Sequence, residues 1–399
     1  MDKKELYALL GRFVSEKPEL CAEIEEFVKK VIACGEDQAV MELLTEFKTA
    51  HPEFADLMKA CAEEKEAGQG KVFPVHKPFT SEIRERMKLA KRLEHFANWS
   101  SALKSLPEKT LPLPVVDSEF IRRAKEIWKQ DICGNDELFR VMLRHCIEYS
   151  KKGTTSPILL LGDPGIGKTL AAKTYGKIMN LPCSFLSGPN AASGRGLSGA
   201  PNIYAGAGVG AVVQAMIDHK AGNPVLVIDE LDKTGTAIAR DHVFQDELLS
   251  MMDESSETWY DNFLEIEVDA SHIPLVLTAN KKEPISQPLL DRMEVVRMEA
   301  PTKEMLHSIT REFTLPKTMS MYDDGRVSFP EQEVDMLVDM LWDAGNHSCR
   351  AYQTAVSILV SDAYLDSLEK GADVRISEES VKKTAALWRR NAKGIGFVA

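Results

Sequence analysis

The octapeptide GDPGIGKT, Gly162–Thr169, limits what this chain can fold into more than any other stretch. It spells Gly-x-x-x-x-Gly-Lys-Thr, directly after the apolar run Ile158–Leu161 and directly before a helix-like segment. A strand, a glycine-rich turn and a helix in that order build a phosphate-binding loop. The glycines let backbone N–H groups face the phosphates, and the helix N-terminus adds a field that favours anions. Gly162, Asp163, Pro164, Gly165, Ile166 and Gly167 form this cradle. Lys168 is expected to reach the β- and γ-phosphates and Thr169 to ligate Mg²⁺, with Leu170 opening the helix beyond them.

A loop of this kind sits at the end of a strand in a parallel sheet, and the chain supplies the other strands. CSFLS, PVLVIDE, IPLVLTAN and EVVRM are short apolar runs bounded by turn residues and separated by helical stretches. That pattern describes strands buried on both faces, hence an α/β core with a parallel sheet. After Pro301 the apolar residues recur at helical spacing to the end, which reads as an all-helical lid. Residues 1–67 read as short amphipathic helices, and Gly/Pro-rich connectors lie at 66–78 and 106–116. The expected domains are therefore an acidic N-terminal helical region over 1–105, an α/β nucleotide-binding domain over 106–300 and the lid over 301–399.

Nucleotide hydrolysis needs a carboxylate on the Mg²⁺ side, at the end of a neighbouring strand. Asp229 ends VLVID, 61 residues beyond Lys168, and the adjacent Glu230 is placed to polarise an attacking water. The pair could otherwise cap the next helix. With the phosphate loop present it points to ATP or GTP hydrolysis. Asn280, at the tip of the IPLVLTAN strand, is either a turn former or a sensor that holds the hydrolytic water. Arg292 precedes the EVVRM strand, and on its own reads as a surface ion pair. Arg350 opens a lid helix, a place where bound phosphate would account for a cation.

Composition excludes several alternatives. The net charge of −12 argues against a chain devoted to wrapping nucleic acid. Residues 1–67 carry sixteen acidic and nine basic side chains, so more than half of that charge lies there. The main basic feature is a helix face of Arg84, Arg86, Lys88, Lys91 and Arg92. It reads as a solvated face or as a surface that docks onto an acidic neighbour. No apolar stretch approaches the roughly 20 residues that span a bilayer, and the N-terminus lacks signal-peptide character. A cytoplasmic protein without membrane contact is expected. The seven scattered cysteines lack metal spacing and read as reduced thiols, mostly buried.

Taken together, these residues resemble an AAA+ ATPase, and within that superfamily the ATPase module of the Lon proteases. The resemblance runs from about residue 118 to the C-terminus. It includes GDPGIGKT, GNPVLVIDELDK, DELLSMMDESSETWYDNFLEIEVDASHIPLVLTAN and PLLDRMEVVRMEAPT. It implies ATP and Mg²⁺ as cofactors, Asn280 as sensor 1, Arg292 as an arginine finger reaching a neighbouring subunit's ATP, and Arg350 as sensor 2. A finger supplied in trans implies a ring, a homo-hexamer. Three departures stand out. The chain ends about where the family's serine–lysine peptidase domain begins, so no proteolytic activity is expected of it. Asp163 stands where the family has proline. The N-terminal part lacks the length and strand content of the family's substrate-binding domain.

The run PNIYAGAGVGAV, Pro201–Val212, sets one aromatic ring among glycines and alanines. A dinucleotide fingerprint does not fit, because the run does not follow a strand directly and a complete phosphate loop lies upstream. A loose linker does not fit the amphipathic helix that resumes at once. The resemblance places the run at pore loop 1, where Tyr204 would grip an extended polypeptide. Its neighbour Ala205 is smaller than the aliphatic residue the family uses, which implies weaker gripping. Lys233–His242, with Arg240, would be a second pore loop. The expected function is an ATP-driven ring that unfolds, translocates or remodels proteins, on its own or feeding a separate protease or effector. Two alternatives remain open. One is a nucleic-acid-associated ATPase, such as a helicase loader or a mobile-element or defence component, for which only the basic helix speaks. The other is a nucleotide-controlled regulatory switch.

Overall fold

The computed structural model describes scattered positions between 23 and 54, residues 70–76, and residues 96–391 apart from 190–194, 202–203, 205, 235–238 and 323–324. The basic helix Arg84–Arg92 lies outside the described residues. The chain divides into two compact units, Met1–Gly70 and Lys71–Ala399. In the first, helical positions bury Ile24, Phe27, Val31, Leu44, Phe47 and Phe54, with the Phe27 and Phe47 rings stacked at 4.2 Å.

The second unit is organised by the alternation of apolar residues along its strands. Five strands pair in parallel in the order β2 (Cys183–Ser187), β3 (Val225–Asp229), β6 (Leu275–Ala279), β1 (Ile158–Leu161), β7 (Glu294–Arg297). These are the five runs that the sequence marks as strands. Successive side chains point to opposite faces, and both faces are apolar. Leu159, Leu226, Ile228, Leu275 and Leu277 enter one core with α1 (Phe96–Ser105), α5 (Ala211–His219) and α6 (Ala239–Met251). Ile158, Leu160, Val225, Val227 and Val276 enter the other with α2 (Ser118–Asp131), α3 (Asp136–Lys152) and α4 (Lys168–Met179). Burial of such a side chain is worth roughly 1.5–3 kcal/mol, so these two clusters hold the sheet between its helical layers.

Residues 96–105, which the sequence assigns to the N-terminal helical region, belong to this unit. Trp99, Leu103 and Leu106 enter the first core, and the Trp99 indole N–H donates to the Leu264 carbonyl at 3.2 Å. A feature without a sequence expectation is the antiparallel hairpin β4 (Trp259–Asp261) and β5 (Ile266–Val268). The short helix α7 (Gln287–Leu290) leads into β7.

The C-terminal part packs a third core from α8 (Lys303–Ser308), α9 (Leu315–Met319), α10 (Glu331–Asp343), α11 (Cys349–Lys370) and α12 (Glu378–Asn391). Leu306, Leu337, Leu341, Tyr352, Val356, Leu359 and Val381 are buried there. The expectation of an all-helical lid holds apart from one two-residue parallel pair, β8 (Val327–Ser328) with β9 (Val374–Arg375). Among the described residues, no helix is long and apolar enough to cross a membrane.

Candidate functional site

Strand order brings the sequence motifs together. β6 lies between β1 and β3, so the exits of these three strands carry Gly162, Asn280 and Asp229 side by side. Gly165 has φ +80°, and a methyl group there would overlap the Ser348 hydroxyl at the start of α11. Glycine is therefore required both for the turn and for the approach of the lid. Arg350 lies in the first turn of α11, and its Cβ would stand 3.4 Å from a Cβ on Gly165. The first turn of the lid helix that carries Arg350 thus sits against the phosphate loop.

Lys168 is almost completely buried. Its ammonium donates to the Gly162 carbonyl at 2.6 Å, the Asp163 carbonyl at 2.8 Å and Asn280 Oδ1 at 2.9 Å. Desolvation lowers its pKa, and the negative charges of Asp229, Asp232 and Asp163 oppose that shift. The Thr169 hydroxyl lies 3.3 and 3.4 Å from the two carboxylate oxygens of Asp229. A hydroxyl and a carboxylate facing one point are hard oxygen donors of the kind Mg²⁺ takes alongside nucleotide phosphates and water. The residues fit that ion.

Glu230 occupies a left-handed backbone conformation, φ 60° and ψ 46°, uncommon for a residue with a side chain. Its carboxylate is half-exposed and accepts from Lys233 Nζ at 2.6 Å. Two residues that the sequence reading passed over hold this corner. Thr278 Oγ1 donates to Asp229 Oδ1 and accepts the Glu230 N–H at 3.1 Å. Asp232 Oδ2 accepts the Lys281 N–H at 3.2 Å, next to Asn280. The only sequence signal of Thr278 is polarity inside an otherwise apolar run, and Asp232, among the charged residues of Glu230–Lys233, carries none.

A cavity of about 340 Å³ opens beside the loop, between Ile166, Gly167 and Leu170 on one side and Met305, Phe313 and Cys349 of the lid on the other. Ile132, Cys133 and Met298 also line it. Asp131, Glu299 and Lys317 line it as well, so a largely apolar chamber with a few polar groups adjoins the phosphate cradle, the character of a base-binding pocket. Its walls come from separate helices and turns, so no local motif announces it.

Arg292 stands apart. It precedes β7, whose register sets Glu294 beside Ile158 and Arg297 beside Leu161, so it lies at the sheet edge opposite Gly162. Its guanidinium is paired in bidentate fashion with Asp253, at 2.6 and 3.2 Å. Tyr204 is 60% exposed, and Gly206, two residues on, has φ +80°. Ala205 and the side chain of Arg240 lie outside the described residues. The base of the Tyr204 loop is pinned. Ala200 N–H donates to Gly208 O at 3.2 Å, and Gly199 and Gly210 approach so closely that a methyl on either would collide with the other's backbone. Glu247 of α6 accepts the Leu197 N–H at 2.8 Å and the Ser198 hydroxyl. Asp261 accepts the Gly210 N–H at 2.9 Å, and Asn262 donates to Gly199 O at 3.2 Å.

Residues 158–299 match the ATPase family associated with various cellular activities (AAA). A Lon protease of Clostridium acetobutylicum is 27% identical over 319 residues, covering 76% of this chain and 40% of the relative. The chain carries an AAA+ ATPase module similar to that of the Lon proteases. Lon protease 2 of Sorangium cellulosum is 30% identical over 229 residues, covering 56% of this chain and 28% of that protein. A peroxisomal Lon protease homolog 2 of Oryza sativa subsp. indica is 26% identical over 328 residues, 80% of this chain and 35% of its own length. The AAA+ module and its flanks thus span less than half the length of these relatives. Among solved structures, the Thermotoga maritima RuvB Holliday junction branch migration motor matches with a TM-score of 0.43 and 18% identity. That match covers 66% of this chain and 72% of RuvB.

Proposed function

We propose that this chain is the ATP-driven motor of a ring, a homo-hexamer, that pulls polypeptide through a central channel in the cytoplasm. The observation that carries the reading is the exposed Tyr204 at the tip of a glycine-rich loop whose base is held by side chains from α6 and the β4–β5 hairpin. An aromatic ring offers an apolar, rigid face that grips an extended chain without regard to sequence. In this reading Lys168 and Arg350 bind the phosphates of ATP, and Thr169 and Asp229 hold Mg²⁺. Glu230 takes the proton of the attacking water, and Asn280 orients that water. Arg292 completes the ATP site of the adjacent subunit, which its position away from its own cradle favours. The bound ion neutralises charge on the transferring phosphate. Peptide-bond cleavage is assigned to none of these residues; a separate protease or effector would receive what the motor delivers.

The test is ATPase activity in the presence of an unfolded protein or of DNA, for the wild type and Tyr204→Ala. Unfolded protein should stimulate the wild type, and Tyr204→Ala should keep its basal rate within about twofold while losing unfolding of a tagged substrate. Stimulation by DNA alone would reject the reading in favour of a nucleic-acid-associated ATPase.

A further inference from the structure

We infer that Thr278 is a positioning residue that sets Asp229 and Glu230 relative to one another through a single hydroxyl. Thr278 lies in the central strand β6, 1% exposed, paired with Leu160 of β1. Along β6 its neighbours are Leu277 and Ala279, and the same face carries Val276 into an apolar core. A hydroxyl in such a place needs partners, and its partners are the two acidic residues of the adjacent strand end. It has one proton, which goes to Asp229 Oδ1. Its lone pairs therefore face the Glu230 N–H, 3.1 Å away.

Each bond has a distinct effect. The bond to Asp229 fixes the carboxylate plane so that it faces the Thr169 hydroxyl. The bond from Glu230 holds a peptide unit whose φ of 60° would otherwise relax toward the ordinary right-handed region. The two carboxylates have different tasks, and one oxygen atom sets their relative position. Serine can make both bonds, whereas valine, nearly the same shape, makes neither and leaves the Glu230 N–H without this acceptor.

This inference rests on the assignment of Asp229 to the ion and Glu230 to the water, and the experiment separates the two. Full-length wild type, Thr278→Val, Thr278→Ser and Glu230→Gln are compared for ATP turnover, for Mg²⁺-dependent binding of a fluorescent ATP analogue, and for amide exchange in a peptide spanning 225–234. Thr278→Val is expected to lower kcat at least tenfold with the KM for ATP within threefold. It should also raise the Mg²⁺ concentration needed for half-maximal analogue binding and speed exchange at Glu230. Thr278→Ser should restore all three toward wild type. Serine as defective as valine would overturn the proposal, because packing of the methyl group would then be the cause. Thr278→Val with wild-type turnover and exchange, beside an inactive Glu230→Gln, would overturn it alone. Wild-type turnover in Glu230→Gln would overturn the underlying assignment as well. Thermal unfolding of each variant separates these outcomes from loss of the fold: a Thr278→Val chain that is unfolded while Thr278→Ser is folded and slow also counts against the proposal.

Discussion

Lys168 Nζ and Asn280 Oδ1 are 2.9 Å apart, so the phosphate-loop lysine is tied to the tip of the strand that separates the acidic pair Asp229 and Glu230 from the loop. With the Gly162 and Asp163 carbonyls, Asn280 completes three acceptors for the three ammonium protons. A γ-phosphate must therefore exchange with contacts that are already made. Asn280→Ala removes one of them and the orienting amide together. ATP affinity should stay within threefold while kcat falls by about 100-fold, as when one preorganised polar group is removed from a transition state. Equilibrium nucleotide binding and steady-state turnover on the same preparation check this.

Glu230 is half-exposed and its carboxylate is engaged by Lys233 in this structure. Glu230→Gln should bind ATP and hydrolyse it at least about 100-fold more slowly, the scale of a lost general base. Lys233→Met frees the carboxylate and should raise the basal rate by less than about fivefold, because exposed ion pairs are weak. A slower Lys233→Met enzyme would mean that the lysine assists the reaction directly.

The bidentate pair of Arg292 with Asp253 lies at the sheet edge away from the chain's own Gly162. If Arg292 serves a neighbouring site, Arg292→Ala and Lys168→Ala should each be nearly inactive alone. Mixed in equal amounts they should recover about a quarter of the wild-type interfaces, since a finger in trans can then meet an intact lysine. Mixtures no more active than the separate variants would place the arginine's role elsewhere.

Burial pushes the Cys146 thiol up to about 12 and the Cys183 thiol up to about 11, and also raises Cys133, which lines the cavity beside the phosphate loop. Thiolate is the reactive form, so at pH 8 only on the order of 10⁻⁴ of Cys146 is available. Alkylation followed by peptide mass spectrometry should label Cys133 before the other two. ATP with Mg²⁺ should slow that labelling, and raising the pH toward 10 should speed it. Labelling of Cys133 indifferent to nucleotide would argue against this cavity as the base pocket.

The five strands of the sheet were legible because each is a continuous apolar run, and a strand buried on both faces needs such a run. Lys168 and Thr169 were legible from the GDPGIGKT spelling that follows one of them, and Asp229 and Asn280 because each sits at the exit of another. Thr278 was not, since a β-branched residue within a strand is ordinary and only the pairing of β6 with β3 sets it beside the acidic pair. The cavity wall was not either, because Cys133, Met298, Phe313 and Cys349 share no period and meet only when the lid folds over the loop. Asp261 looked like one acid among many. Its role emerges from burial, which raises its pKa, and from the three backbone N–H groups, of Gly210, Phe263 and Leu264, that surround it.

The close approach of Gly199 and Gly210 makes the attachment of the Tyr204 loop a fulcrum. A load applied to the ring cannot be absorbed by spreading the two limbs apart without breaking the bonds to Glu247, Asp261 and Asn262. It is instead delivered as torque to α6 and to the β4–β5 hairpin, whose side chains hold those bonds.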